Sequence, residues 1–334
     1  MGQGSDRELA ARIDRAVHGL NRLFGTQPDR HRAHTQSRNI LQDLCGDPAF
    51  LTAVLRRYLA FPDALNARNY PVVSFNVDLN PSYHLVVNCW IPLPNRETDL
   101  STKAIHHHGT MLLTTATAFG PGYEHWLFTR PQALDPAREL YGMRLTGRKL
   151  HSRGDVAFVD AYEPHLPLYP SGLTITLALW SDREPATWKD RFKRIPFLKR
   201  NEAAFKRFAV RMGLAQALDL KMVQYFDFYP VEEGFRGMKD RIEFGVGPNE
   251  DYLYSLFHVL QATQNDHLAP LVEEQINSQR VPKESVPLVR RLLDDLRHGR
   301  PIEGRLSQGH VGILHANFRR GEIERSLEAL RSRA

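Results

Sequence analysis

The chain has only two cysteines in 334 residues, Cys45 and Cys89. Two thiols cannot build a disulfide framework, and neither has the paired spacing of a zinc ribbon, so both are expected to be free in a reducing compartment. No apolar run approaches the roughly 18 residues needed to span a bilayer. The first residues, Met1 to Asp6, enter a charged amphipathic helix without the apolar core of a secretion signal, and a cytoplasmic location is expected. A phosphate-binding loop is also lacking, because the glycines of Phe244-Gly245-Val246-Gly247-Pro248-Asn249 come with neither a lysine nor a preceding strand. There is no Gly-x-Ser-x-Gly nucleophile elbow. Hydrophobic residues make up 42% and charged residues 25%, which suits a globular chain with a sizeable core and excludes wholesale disorder.

The net charge is +6. Between Asp182 and Met222 eleven lysines and arginines face five acids, so this stretch alone carries a surplus equal to that of the whole chain. Such a run is either a solvated helical face or a rim that attracts an acidic substrate or partner. No helix-turn-helix, zinc-finger or RNA-recognition signature accompanies it, which argues against a nucleic-acid partner.

The hydrophobic pattern divides the chain into helix, sheet and helix. Leu9, Ile13, Val17, Leu20 and Phe24 recur at helical spacing. A second helix is predicted over Ser37–Cys45, and a third from Asp47 as cap with Pro48 in its first position, where a missing amide donor costs nothing. From Tyr70 the pattern shifts to short β-rich runs: 72–77, 84–91, 104–108, 111–119, 123–129, 140–145, 156–159 and 173–180. Strands with no interposed helix predict a mostly β core with α flanks, an antiparallel barrel or double-sheet jelly roll. Helical texture returns over Asn201–Leu220, over 249–263 with Asn249 as cap, and over Pro287–Leu296 and Glu322–Ser332. The expected units are an N-terminal helical region (1–66), a β-barrel (67–182) and a C-terminal helical region (183–334). The last either packs across the barrel or forms a homodimer surface.

The histidines carry the candidate chemistry. His106-His107-His108 ends a predicted strand, where alternate side chains share a face, so His106 and His108 point one way and His107 the other. Two imidazoles on a barrel's inner face are half of a divalent-metal site. The best third ligand is His165, which follows Pro164 at the end of the turn fed by the strand 156–159.

These residues resemble the two motifs of the cupin superfamily. His106-x-His108 with Gly120 beyond it matches the first, and Gly154-Asp155 leading to Pro164-His165 matches the second. The resemblance covers about Tyr70 to Ser181, a third of the chain, and the helical flanks lie outside it. It implies a double-stranded β-helix with a metal held by His106, His108 and His165. Many cupins add a glutamate four or five residues after the second histidine, and here those positions are Leu112 and Leu113. The site therefore looks like the three-histidine variant of the cysteine dioxygenase type. That implies iron(II), with zinc, nickel or manganese as alternatives, and open coordination positions for a small organic substrate and dioxygen. The cysteine of some thiol dioxygenases would fall at Leu113, which excludes a cysteine–tyrosine crosslink there.

Around the triad, Tyr162 is the candidate catalytic donor, and Arg144 and Tyr169 are candidate substrate-binding residues. Glu163, Arg148 and Arg153 lie nearby in sequence. An arginine could clamp a substrate carboxylate with its two-donor fork. Glu124 and His125 follow the Gly120-Pro121-Gly122 turn, expected at the barrel end opposite His108, and rank below the triad. His84 is either a fourth imidazole or a core residue, and His151, His258, His267, His310 and His315 receive no role. The functional reading is an iron(II) oxygenase acting on an amino-acid or thiol-like substrate. Its alternatives are a non-oxidative metal enzyme and a non-catalytic ligand-binding protein.

Overall fold

The computed structural model describes residues 3–67, 72–102, 104–183, 224–228, 234–237, 248–306 and 319–331. Three helices come first: α1 (Gln3–Thr26), α2 (Arg30–Gly46) and α3 (Pro48–Leu59). The side chain of Asp47 accepts from the Ala49 amide, and Pro48 occupies the first turn of α3, as the local sequence predicts. α2 starts earlier than its apolar spacing suggests, because Asp29 caps it by accepting from the Arg32 amide. Among the described residues, no helix is long and apolar enough to cross a membrane. The helix predicted over Asn201–Leu220, most of the basic stretch 183–221, and His310 and His315 lie outside the described residues.

Among the described residues, thirteen strands follow. The first six are β1 (Val72–Leu79), β2 (His84–Trp90), β3 (Ile105–His107), β4 (Met111–Phe119), β5 (Tyr123–Phe128) and β6 (Gln132–Asp135). Then come β7 (Leu140–Gly142), β8 (Leu145–His151), β9 (Val156–Val159), β10 (His165–Pro167), β11 (Thr174–Asp182), β12 (Gln224–Phe228) and β13 (Phe235–Gly237). They form two sheets, one in the order β1-β2-β11-β4-β9 and one in the order β6-β7-β13-β12-β3-β10-β5-β8. The strand pairs are antiparallel throughout. The two sheets face each other across a lumen. Trp90 of the first stacks on Tyr123 of the second with ring centres 4.9 Å apart, and Trp180 of the first meets His108 beside the second at 4.5 Å. The architecture is an antiparallel double-stranded β-helix of jelly-roll type with helical flanks.

β12 and β13 correct the expectation that everything after 182 is helical, since both join the second sheet beside β3 and β7. Edge strand β8 has no apolar alternation to signal it: Thr146, Arg148, Lys149 and Leu150 are all exposed, and charged side chains on an edge discourage pairing with another chain.

Alternation divides each strand between lumen and outer layer. The outward residues of the first sheet, among them Phe75, Leu85, Val87, Cys89, Leu177 and Leu179, are fully or almost fully buried. They share one core with Leu20, Phe24, Leu55 and Leu59 of the N-terminal helices and with Leu256, Phe257 and Leu260 of α4 (Asn249–Ala262). α5 (Ala269–Asn277) and α6 (Val286–Arg297) add Val272, Val289 and Leu292 to that core. Asn249 does not cap α4, for which Pro248 is the boundary residue; its amide instead donates to the carbonyls of Leu65 and Ala67 and so ties the helix to the chain entering β1. On the outer face of the second sheet, Ile323 and Leu327 of α7 (Arg320–Arg331) pack with Trp126, Phe128, Leu166 and Phe235.

One buried polar clamp joins helix to sheet. His34 of α2 is fully buried, its Nδ1 2.8 Å from Thr114 Oγ1 and its Nε2 2.9 Å from Ser181 Oγ. The Ser181 hydroxyl donates to the Asp182 carbonyl, so His34 donates from Nε2 and accepts at Nδ1 as a neutral imidazole. Burial, then the neighbouring His31 and Arg30, hold its pKa down to about 3. The unfolded chain binds a proton there near pH 6.5, so this contribution to stability is full above that pH and is lost as pH falls from about 6.5 towards 3. Each pH unit in that window removes up to about 1.4 kcal/mol for this one group. In urea unfolding, wild type is expected to lose roughly 2 kcal/mol more between pH 6.5 and 5 than His34→Gln, the variant being the less stable at neutral pH. Equal losses would contradict this assignment.

Candidate metal centre

β3 and β10 lie side by side in the second sheet, with His106 directly opposite His165. Both imidazoles point into the lumen, where their ring centres are 4.3 Å apart. His108, two residues on and on the same face, completes the group at 4.8 Å from His106 and 4.9 Å from His165. One nitrogen from each of the three lies within 4.8 Å of the others. His106 and His165 are buried and His108 is partly exposed, so the group meets the surrounding space on the His108 side.

The donor chemistry fits a divalent ion. His106 Nδ1 donates to the Ala104 carbonyl at 2.9 Å, which leaves Nε2 unprotonated in the neutral ring and aims its lone pair into the lumen. His108 Nε2 and His165 Nε2 approach to 3.3 Å. Two nitrogens bound about 2.1 Å from one ion, at tetrahedral or octahedral angles, stand about 3.0–3.4 Å apart. His107 belongs to the opposite face with Ile105; its Nδ1 accepts from the Gly109 amide, so it serves the turn and not the triad.

Apolar walls surround the histidines. Leu113, Val159 and Ala178 form a small lumen cluster with Leu127 and Trp180. The first-motif glycine has a steric reason: Gly120 has φ +86°, and a Cβ there would come within 1.9 Å of the Leu173 carbonyl oxygen.

The other nominated residues are placed differently. Tyr162 is 41% exposed at φ +60°, its ring lies 5.5 Å from that of His107, and its amide donates to the Gly109 carbonyl. It thus stands with the outward histidine. Arg144 is exposed between β7 and β8, where its backbone pairs with Thr129. Tyr169 is buried in the large core shared with the helices, its hydroxyl without a hydrogen-bond partner among the described residues. Burial raises the pKa of that hydroxyl. Glu163 accepts from the Asp160 amide in the turn before His165, and burial raises its pKa. Arg148 lies over the outward Trp126 and pairs with Glu324. His84 is exposed at the start of β2, so it is not a core residue.

Two further histidines line the lumen beside the triad: His125, which the sequence reading ranks below the triad, and His151, to which it gives no role. His125 is buried with its ring 5.3 Å from that of His165, and His151 is 6.4 Å beyond His125. The expectation that His125 sits at the far barrel end fails because β5 pairs with β10, setting Pro167 opposite His125 and His165 opposite Leu127. Diagonal neighbours on one face of a sheet are within reach of large side chains. Glu124, one residue out of phase, faces outward, where it accepts from Trp126 Nε1 and pairs with Arg320.

No protein-family model matches the chain, and no curated protein matches it. Solved structures are similar over about a third of it. A chain from a structure of DMSP lyases is 17% identical over 32% of this chain and 46% of its own length, with a TM-score of 0.21. An RmlC-like cupin from Shewanella frigidimarina is 13% identical over 35% of this chain and 79% of its own, with a TM-score of 0.22. A hydroquinone 1,2-dioxygenase in complex with Cd2+ and 4-hydroxybenzonitrile is 18% identical over 38% of this chain and 75% of its own, with a TM-score of 0.25. At these scores the fold assignment stands on the strand order and register alone.

Metal analysis of untagged protein should find near-stoichiometric transition metal in wild type and in His107→Ala, and less than about a tenth of it in His165→Ala. Equal metal in wild type and His165→Ala, or none in either after anaerobic iron reconstitution, would remove the triad as a site.

Proposed function

We propose that the protein is an iron(II)-dependent oxygenase of the three-histidine kind, acting on a small organic substrate such as an amino acid or a thiol. The observation that carries this reading is the convergence of three imidazoles, with no carboxylate in the group among the described residues, inside a lumen walled by apolar side chains. His106, His108 and His165 would hold the ion.

When bound, iron(II) would supply Lewis acidity, an available electron, and coordination positions for substrate and dioxygen. The chain supplies the rest. The Ala104 carbonyl keeps a proton on His106 Nδ1 and so keeps Nε2 available as a ligand. Trp180 packs edge-on against His108 and limits its rotation. Leu113, Val159, Ala178 and Leu127 exclude water from the space beside the triad and strengthen every charge interaction inside it. Three uncharged ligands leave the ion's positive charge uncompensated, which favours a substrate that arrives with an anionic group such as a thiolate or a carboxylate.

Iron-reconstituted protein is expected to consume oxygen with a member of a thiol and amino-acid panel, and His106→Ala should lower that rate by more than about a hundredfold. Turnover that persists without oxygen, in protein that takes up zinc, nickel or manganese, would replace the oxygenase with a non-oxidative metal enzyme. Ligand binding that survives loss of all three histidines would replace it with a binding protein.

A further inference from the structure

Beyond the triad, the lumen holds one buried imidazole whose protonation the structure defines. His151 ends β8, is fully buried, and sits beside Tyr123 and His125 with ring distances of 5.5 and 6.4 Å. Its Nδ1 is 3.2 Å from Thr117 Oγ1, on β4 of the first sheet, where the turn 152–155 after β8 meets that strand. The Thr117 hydroxyl already donates its single hydrogen to the His151 carbonyl at 2.9 Å. Thr117 therefore accepts from His151, the imidazole proton resides on Nδ1, and Nε2 is a bare acceptor. That Nε2 is buried and, among the described residues, has no hydrogen-bond partner. The ring is held neutral, its pKa lowered to about 4 by burial and then by Lys149, so Nε2 stays an acceptor at physiological pH. The backbone behind it is fixed as well, since a Cβ on Gly122 would come within 2.3 Å of the His151 carbonyl oxygen.

A buried, orphaned acceptor discriminates strongly, because a ligand without a matching donor leaves it unsatisfied. Tyr123, edge-on to His151 and backed by Trp90 on which it stacks, offers a flat aromatic wall. We infer that His151 Nε2 is a substrate-anchoring acceptor, and that the substrate is a small, largely apolar molecule bearing a hydroxyl or N–H donor that reaches this nitrogen while its other end lies towards the triad. The second half of that statement rests on the proposed function; the acceptor role of His151 does not.

Phenol and anisole serve as probes, since both present a flat ring and an oxygen but only phenol donates. Histidine-selective nitrogen NMR on the full chain, metal-free and zinc-loaded, should show His151 Nε2 unprotonated and shifted by phenol but not by anisole. Phenol should bind at least about tenfold more tightly than anisole. His151→Phe should abolish that preference. His151→Gln, which keeps an acceptor oxygen, should retain part of it and guards against misfolding of the first variant. A proton on Nε2, equal binding of the two probes, or a His151 signal unmoved by phenol would overturn the inference. Failure of zinc to bind, with the His151 response intact, would overturn the metal reading and leave this one standing.

Discussion

The pairing of His106 with His165 across β3 and β10 is the constraint on which the site depends. It is one backbone register in one short ladder, and a slip of either strand by a single residue would turn that strand's imidazole to the outer face. The register is enforced from outside the lumen. Ile105 and Leu166, the outward neighbours of the two histidines, are fully buried in the cluster with Trp126, Phe128 and Phe235 that α7 covers. Turning His106 outward would put an imidazole into that apolar layer and Ile105 into the lumen. The chemistry of the inner face is thus held by hydrophobic burial on the outer one.

The same division explains the helices. Those that pack on the first sheet bury its outward residues and form the largest core among the described residues, and His34 adds a polar clamp between α2 and strands β4 and β11. A sheet whose outer face is closed by packed helices is rigid, and rigidity is what a lumen site needs if ligand nitrogens are to stay within tenths of an ångström of a working geometry.

Much of this was legible in the sequence because it follows from periodicity. The alternation of Leu173, Ile175, Leu177 and Leu179 with Thr174, Thr176, Ala178 and Trp180 marks β11, and the same alternation separates His106 and His108 from His107. Pro164-His165 after a Gly154-Asp155-led strand located the third histidine, and the structure brings it to the other two. What stayed hidden depends on pairings that leave no local signal. His125 meets His165 only because β5 pairs with β10, and His151 enters the lumen on a polar edge strand that reads as a loop. Tyr162 and Arg144 were nominated for their nearness to the motif in sequence. Tyr162 sits at a positive-φ position in the turn and faces the outward histidine, and Arg144 lies on an exposed connection.

The central claim is that three imidazoles, and no carboxylate, hold one ion. X-ray absorption of the iron-loaded full chain reads the ligand set directly. The expected result is a shell of light donors at about 2.1–2.2 Å with the multiple-scattering signature of three imidazoles, falling to two in His108→Ala. A spectrum with no imidazole scattering, or one unchanged by His108→Ala, would contradict the account.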